Sequence, residues 1–90
     1  MDYTTQLHLF EYILKISIDS CIQTNTLNKI IIIKSIKSAD RVVLKILYSG
    51  VISNKKSIIS NFEKILLNAY YKLSIKQIDE NFISILITFN

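Results

Sequence analysis

The chain has 90 residues, half of them apolar and a fifth charged, with a formal net charge of +4. That is room for one folded domain, and the apolar share excludes a disordered polypeptide. The longest uncharged run is the ten residues 81–90, well short of the roughly 18–20 that a membrane span needs, and Asp2 without a basic flank argues against a secretory leader.

Periodicity has to carry the assignment of elements, because proline is absent and Gly50 is the single glycine. Residues 5–23 are predicted as a helix. Phe10, Ile13, Leu14, Ser17, Ile18, Cys21 and Ile22 repeat at i, i+3, i+4 and i+7, with His8, Glu11, Lys15, Asp19 and Gln23 on the opposite side. Thr4 or Thr5 can cap its start, and the polar run Thr24-Asn25-Thr26 supplies a stop. Lys29 to Ser38 follows, with isoleucine at all four positions from Ile30 to Ile33. Consecutive β-branched residues cost a helix side-chain freedom and suit a pleated strand.

Ser38-Ala39-Asp40 predicts a tight turn into a second strand, Arg41 to Ser49. Val42, Leu44, Ile46 and Tyr48 share one face of it, and Arg41, Val43, Lys45 and Leu47 the other. Gly50 ends this hairpin. A second helix is predicted over Asn54 to Leu73, capped by Ser53 or Asn54 and buried through Ile58, Phe62, Ile65, Leu66, Ala69 and Leu73. Lys56, Lys64, Asn68 and Lys72 form its polar side. On this helix Tyr70 falls near the buried stripe, whereas Tyr71 points outward among lysines, where it could stack on a base. Lys55 and Lys56 oppose the helix dipole at the first turn, so they are either solvated or a seat for a phosphate.

Ser74 to Asp79 and Phe82 to Phe89 complete a second hairpin around the acidic turn Asp79-Glu80-Asn81. The expected fold is therefore α+β, a single domain over residues 1–90 in the order helix-hairpin-helix-hairpin (αββαββ). Two helices pack on one face of a four-stranded antiparallel sheet, which buries both helical stripes together. The first strand is isoleucine on both sides, so the second sheet face stays partly apolar.

Catalysis finds little support. His8 is the single histidine and Cys21 the single cysteine, which leaves neither a multi-histidine metal site nor an intramolecular disulfide, and fits a reducing, cytoplasmic compartment. Cys21 falls on the apolar stripe and reads as a small buried side chain. One glycine supports neither a P-loop nor a dinucleotide fingerprint. Asp79 and Glu80 are ordinary turn residues. No enzyme, cofactor, metal or small-molecule substrate is expected.

Charge is distributed unevenly. Residues 1–28 set Lys15 against Asp2, Glu11 and Asp19, for a net of −2. Residues 29–76 carry Lys29, Lys34, Lys37, Arg41, Lys45, Lys55, Lys56, Lys64, Lys72 and Lys76 against Asp40 and Glu63, for +8, and Asp79 and Glu80 bring the tail to −2. A basic middle of this kind favours a polyanion, nucleic acid before an anionic membrane surface. Codon drift in an A/T-rich genome produces the same lysine excess without any partner. Lysines in place of arginine forks suit phosphate contact more than base reading.

The segment order also carries a resemblance. Phe10-Glu11-Tyr12-Ile13-Leu14-Lys15, then Ile32 to Ser38 with Val42-Val43, then Ser53-Asn54-Lys55-Lys56 leading into Phe62-Glu63-Lys64-Ile65-Leu66, and finally Leu73 to Asn90 together resemble the eukaryotic large-ribosomal-subunit protein twenty-two family. About 80 of the 90 residues are covered, through order and spacing rather than one diagnostic motif. The resemblance implies a non-catalytic, RNA-bound constituent of the large subunit, with rRNA and neighbouring ribosomal proteins as partners and no membrane. The residues expected against rRNA phosphates are Lys34, Lys37, Arg41, Lys45, Lys55, Lys56, Lys64 and Lys72. The same order is also similar to the C-terminal half of bacterial histidine phosphotransferases built on a degenerate kinase-type ATPase domain, where Tyr70-Tyr71 resembles a paired aromatic. The phosphoacceptor hairpin of that family has no counterpart in these residues, so this alternative implies a small protein-docking domain without phosphotransfer.

Overall fold

The computed structural model describes residues 1–25 and 29–89. Its elements are α1 (Tyr3–Gln23), β1 (Ile31–Ser38), β2 (Arg41–Ser49), α2 (Lys55–Ile65), β3 (Tyr71–Gln77) and β4 (Phe82–Phe89). The four strands form one antiparallel sheet in the order β1-β2-β4-β3. The expected α+β architecture and αββαββ order are both present. Each hairpin pairs with itself, and β2 then pairs with β4 to join the two.

Residues opposite one another in an antiparallel ladder share a face. Ile33, Ile46, Ile85 and Ile75 form one such row, flanked by rows through Leu44 and Ile87 and through Tyr48 and Ile83. These residues, with Leu9, Ile13, Phe62 and Leu66 from the helical side, make up the core. Ile13, Ile46, Phe62, Ile85 and Ile87 are fully buried, each contributing on the order of 1.5–3 kcal/mol by removal from water. Both helices thus lie on the same sheet face.

α1 differs from expectation by a small rotation. Leu9, Ile13, Ser17 and Cys21 are the buried line, while Phe10, Leu14, Ile18 and Ile22 are exposed. The reason is contact with α2: the Tyr12 ring meets Phe62 edge-on at 5.1 Å, and Asn61 Nδ2 donates to the Tyr12 hydroxyl at 3.2 Å. That contact turns Tyr12 and Ile16 toward the second helix and swings the 10/14/18 line outward. The helix also starts earlier than Thr4 or Thr5 would allow. Asp2 is the cap, accepting from the Thr5 backbone N–H at 2.7 Å, and this bond holds its carboxyl below the usual range. At the other end Thr24 is extended and donates its N–H to Ser20; Thr26, counted in the stop signal, lies outside the described residues, as does Asn90.

α2 is shorter than its periodicity predicts. It ends at Ile65, turns through residues 66–68, and enters β3 at Tyr71. Leu73 and Lys72 are therefore strand residues, and β3 begins three residues before Ser74. The tyrosine pair is reversed as a result. Tyr70 is 85% exposed in the connection, whereas Tyr71 is half-buried against the core.

One end of the sheet is tied by a hydrogen-bond knot. Ser20 Oγ donates to the Ser49 carbonyl at 2.8 Å, and the Ile30 N–H donates to Ser49 Oγ at 2.8 Å. Gly50 N–H reaches the Asn81 carbonyl at 2.8 Å, and Gln77 Nε2 lies 3.0 Å from the Gly50 carbonyl while its Oε1 accepts from Ile52 N–H at 2.8 Å. Gly50 has φ +143°, and a Cβ there would overlap Ser20 Oγ. Both the backbone angle and the close approach require glycine. Gly50→Ala is expected to destabilise the fold by about 2–3 kcal/mol, read as a Tm lowered by roughly 8–20 °C in a thermal melt; an unchanged melt would contradict this packing.

Tyr48 supplies a second test. Burial beneath the helices pushes its hydroxyl up to about 12, with Tyr12 and Cys21 nearby adding to the effect. A phenol whose folded value lies above its unfolded value near 10 stabilises the fold fully below pH 10 and loses that contribution as pH rises toward 12. Alkaline titration is expected to remove on the order of 2–3 kcal/mol in this window, and Tyr48→Phe should flatten that part of a denaturant-midpoint profile against pH.

Candidate nucleic-acid interface

The helix-free side of the sheet gathers the residues that alternate with the core. Across the strands its rows run Ile32, Leu47, Ser84, Lys76; then Lys34, Lys45, Leu86, Ser74; then Ile36, Val43, Thr88, Lys72; with Ser38 opposite Arg41 at the hairpin end. Lys34, Arg41, Lys45, Lys72 and Lys76 are all exposed. No row includes an acidic residue. Asp40, in the turn, approaches Arg41 at 4.0 Å with both side chains largely in solvent, a pair that contributes little.

Lys34 stands directly opposite Lys45. Like charges so placed cost a sheet a few tenths of a kcal/mol up to about 1 kcal/mol. An anion seated between the two ammonium groups reverses the sign of that term. Ile32, Lys34, Lys45, Leu47 and Ser84 line a shallow depression of about 270 Å³ at this point. Around it, Ser74, Ser84 and Thr88 offer hydroxyl donors, and Val43, Leu47 and Leu86 leave a low-dielectric floor. Such a surface offers point charges and hydroxyl donors to an extended anion. It has no rigid fork for reading base edges.

Of the eight residues expected against phosphate, this face brings together Lys34, Arg41, Lys45 and Lys72. The other four lie elsewhere. Lys37 is opposite Val42, on the helix-bearing side at the hairpin tip. Lys55 and Lys56 occupy the first turn of α2, whose cap residue Asn54 makes no side-chain hydrogen bond, and Lys64 sits in its last turn beside Glu63. Lys76 joins the face although the expected set omits it. The alternation of Lys72, Ser74 and Lys76 was its signal, obscured by assigning Lys72 to a helix.

A second cleft, of about 510 Å³, opens on the helix side between the start of α1 and the β1–β2 tip, with Leu9, Phe10, Val42, Leu44, Ala69 and Phe89 among its walls. Its lining holds no Asp, Glu, His, Lys or Arg side chain. Among the described residues no group of three His, Cys, Asp or Glu could hold a metal. His8 is exposed, and Cys21 is buried with Sγ 3.6 Å from the Ile30 carbonyl. Among the described residues no helix is long and apolar enough to cross a membrane.

No family model, curated protein or solved structure matches the chain.

Proposed function

We propose that the protein is a non-catalytic RNA-binding protein of the cytoplasm that lies against a sugar-phosphate backbone through the helix-free face of its sheet. The observation that carries this reading is an acid-free sheet surface with Lys34 opposite Lys45, together with Arg41, Lys72 and Lys76. Recognition is by shape and phosphate spacing, as suits an RNA duplex whose deep major groove excludes side chains. Within that class, the resemblance in segment order makes rRNA of the large ribosomal subunit the RNA in question, with neighbouring ribosomal proteins at its borders.

A protein-docking domain similar to the C-terminal half of a histidine phosphotransferase is the second reading. The exposed line Phe10, Leu14 and Ile18 on α1 favours it, because phosphate contact has no use for an apolar helix flank.

Salt dependence separates the two. Five phosphate contacts give a slope of roughly −3.5 to −4.5 in log affinity against log salt, whereas apolar docking is nearly flat. Filter binding to duplex RNA between roughly 50 and 200 mM salt is expected to show that slope. Lys34→Gln with Lys45→Gln should reduce its magnitude by about 1.5 and weaken binding more than Lys55→Gln with Lys56→Gln does. Equal affinity and slope in the Lys34/Lys45 variant would sink the assignment of the face. Co-sedimentation with large subunits at moderate salt tests the ribosomal form of the proposal.

A further inference from the structure

α1 packs over β2, and the flank of it that α2 leaves uncovered faces the β1 side of the sheet. Tyr12 and Ile16 turn toward α2, so Leu7, Phe10, Leu14 and Ile18 lie on the opposite side of the same helix, each 44–47% exposed. Cys21 Sγ bonds to the Ile30 carbonyl at the start of β1, and Phe10 shares a cleft wall with Ser35 further along it. The apolar flank and the strand are therefore side by side.

β1 is an edge strand. Ser49 N–H donates to the Ile30 carbonyl at 3.0 Å while the Ile30 N–H goes to Ser49 Oγ, which sets Ile30 and Ser49 at an inward-bonding position of the ladder. By the alternation of an antiparallel ladder, Ile31, Ile33, Ser35 and Lys37 then turn their N–H and C=O groups away from β2. No described residue pairs with them. The other edge, β3, carries Lys72 and Lys76 and lays Leu73 and Ile75 against the core; charge on an edge discourages pairing with another strand. β1 carries Lys34 and Lys37 in its second half, whereas the stretch Ile30 to Ile33 has no charge, and Ile30, Ile31 and Ile32 are all exposed.

We propose that β1 and the adjoining α1 flank form a self-association face, on which a second copy of this chain pairs its own β1 antiparallel to the first. The arrangement is two-fold symmetric, so each copy presents the same residues to the other. It satisfies the outward backbone groups of β1 and sets the two α1 flanks together over the new strand junction. A register centred on Ile32 places Lys34 opposite Ile30 and Lys29 opposite Ser35 of the second copy, so these lysines do not face one another. Leu7, Phe10, Leu14, Ile18, Ile22 and Ile31 are each 37–68% exposed and together present on the order of 500 Å² per copy, the aliphatic side chains lying toward or below the low end of the range for aromatic ones. A stable dimer needs roughly 800 Å² per partner, and strand pairing along the edge supplies the remainder. Closure by a two-fold also removes the open edge, which a head-to-tail contact would not do.

Sedimentation velocity on the purified chain up to roughly 100 μM, in salt high enough to screen the basic face, is expected to show twice the chain mass. Leu14→Glu with Ile18→Glu, two exposed positions, should raise the dissociation constant roughly tenfold or more while the far-UV circular dichroism stays native. Amide exchange at Ile31 and Ile33 gives a second measurement if that variant fails to fold: both amides should become more protected as protein concentration rises. A monomer throughout the range, with exchange at Ile31 and Ile33 independent of concentration, would overturn the proposal. So would a dimer indifferent to the α1 substitutions, an open-ended assembly, or a monomer whose flank takes up lipid vesicles or a different protein. None of these outcomes depends on whether RNA binds the opposite surface.

Discussion

The pairing of β2 with β4 is the constraint on which the molecule turns. Each half of the chain is a helix and a hairpin, and neither hairpin alone offers a face wide enough to bury a helix. Alignment of Leu44, Ile46 and Tyr48 with Ile87, Ile85 and Ile83 joins the two into one surface that both helices can cover. The same register sets the reverse side without further choice. A strand has a period of two, so fixing the core positions of β2 and β4 also fixes Lys45 beside Leu86 and Val43 beside Thr88.

How far the residues disclose this depends on the element. β2 and β4 alternate without ambiguity, and their bounds and faces follow from the pattern alone. α1 does not alternate so cleanly. Leu9 and Ile13 on one line and Phe10, Leu14 and Ile18 on the next are equally apolar, and the contact of Tyr12 with Phe62 accompanies burial of the first, Ser17 included. The end of α2 is hidden for a different reason. Leu66, Ala69 and Leu73 continue a helical rhythm with no glycine or proline to interrupt it, yet Ile83 to Phe89 needs a neighbour on its free side. Pairing of Leu73 with Ile87 and of Ile75 with Ile85 meets that need, and sheet formation overrides local propensity.

The candidate interface inherits these differences. Arg41 and Lys45 were legible from the alternation of β2, and Lys34 from its neighbour in the hairpin. Lys72 and Lys76 became members of the same surface only once residues 71–77 were a strand. Lys55, Lys56 and Lys64, equally basic in the chain, sit on the helical layer because charge carries no information about which side of a sheet it will occupy. A surface of lysine and hydroxyl donors can meet backbone oxygens at many orientations, which suits the proposed phosphate contact better than base reading.

Gly50, Ser49, Ser20 and Gln77 bind α1, β2, β3 and the β3–β4 connection at one end of the sheet, whereas the other end holds the cleft between Phe10, Val42 and Phe89. The two ends are therefore held differently, one by a mesh of hydrogen bonds and the other by apolar side chains around open space. Opening motions should begin where the hairpin tip and the start of α1 meet, and travel toward the glycine, which acts as the clamp of a hinged leaf. Helix α1 is thus pinned at its trailing turns and borders open space at its leading ones, a margin where local opening is expected to cost least.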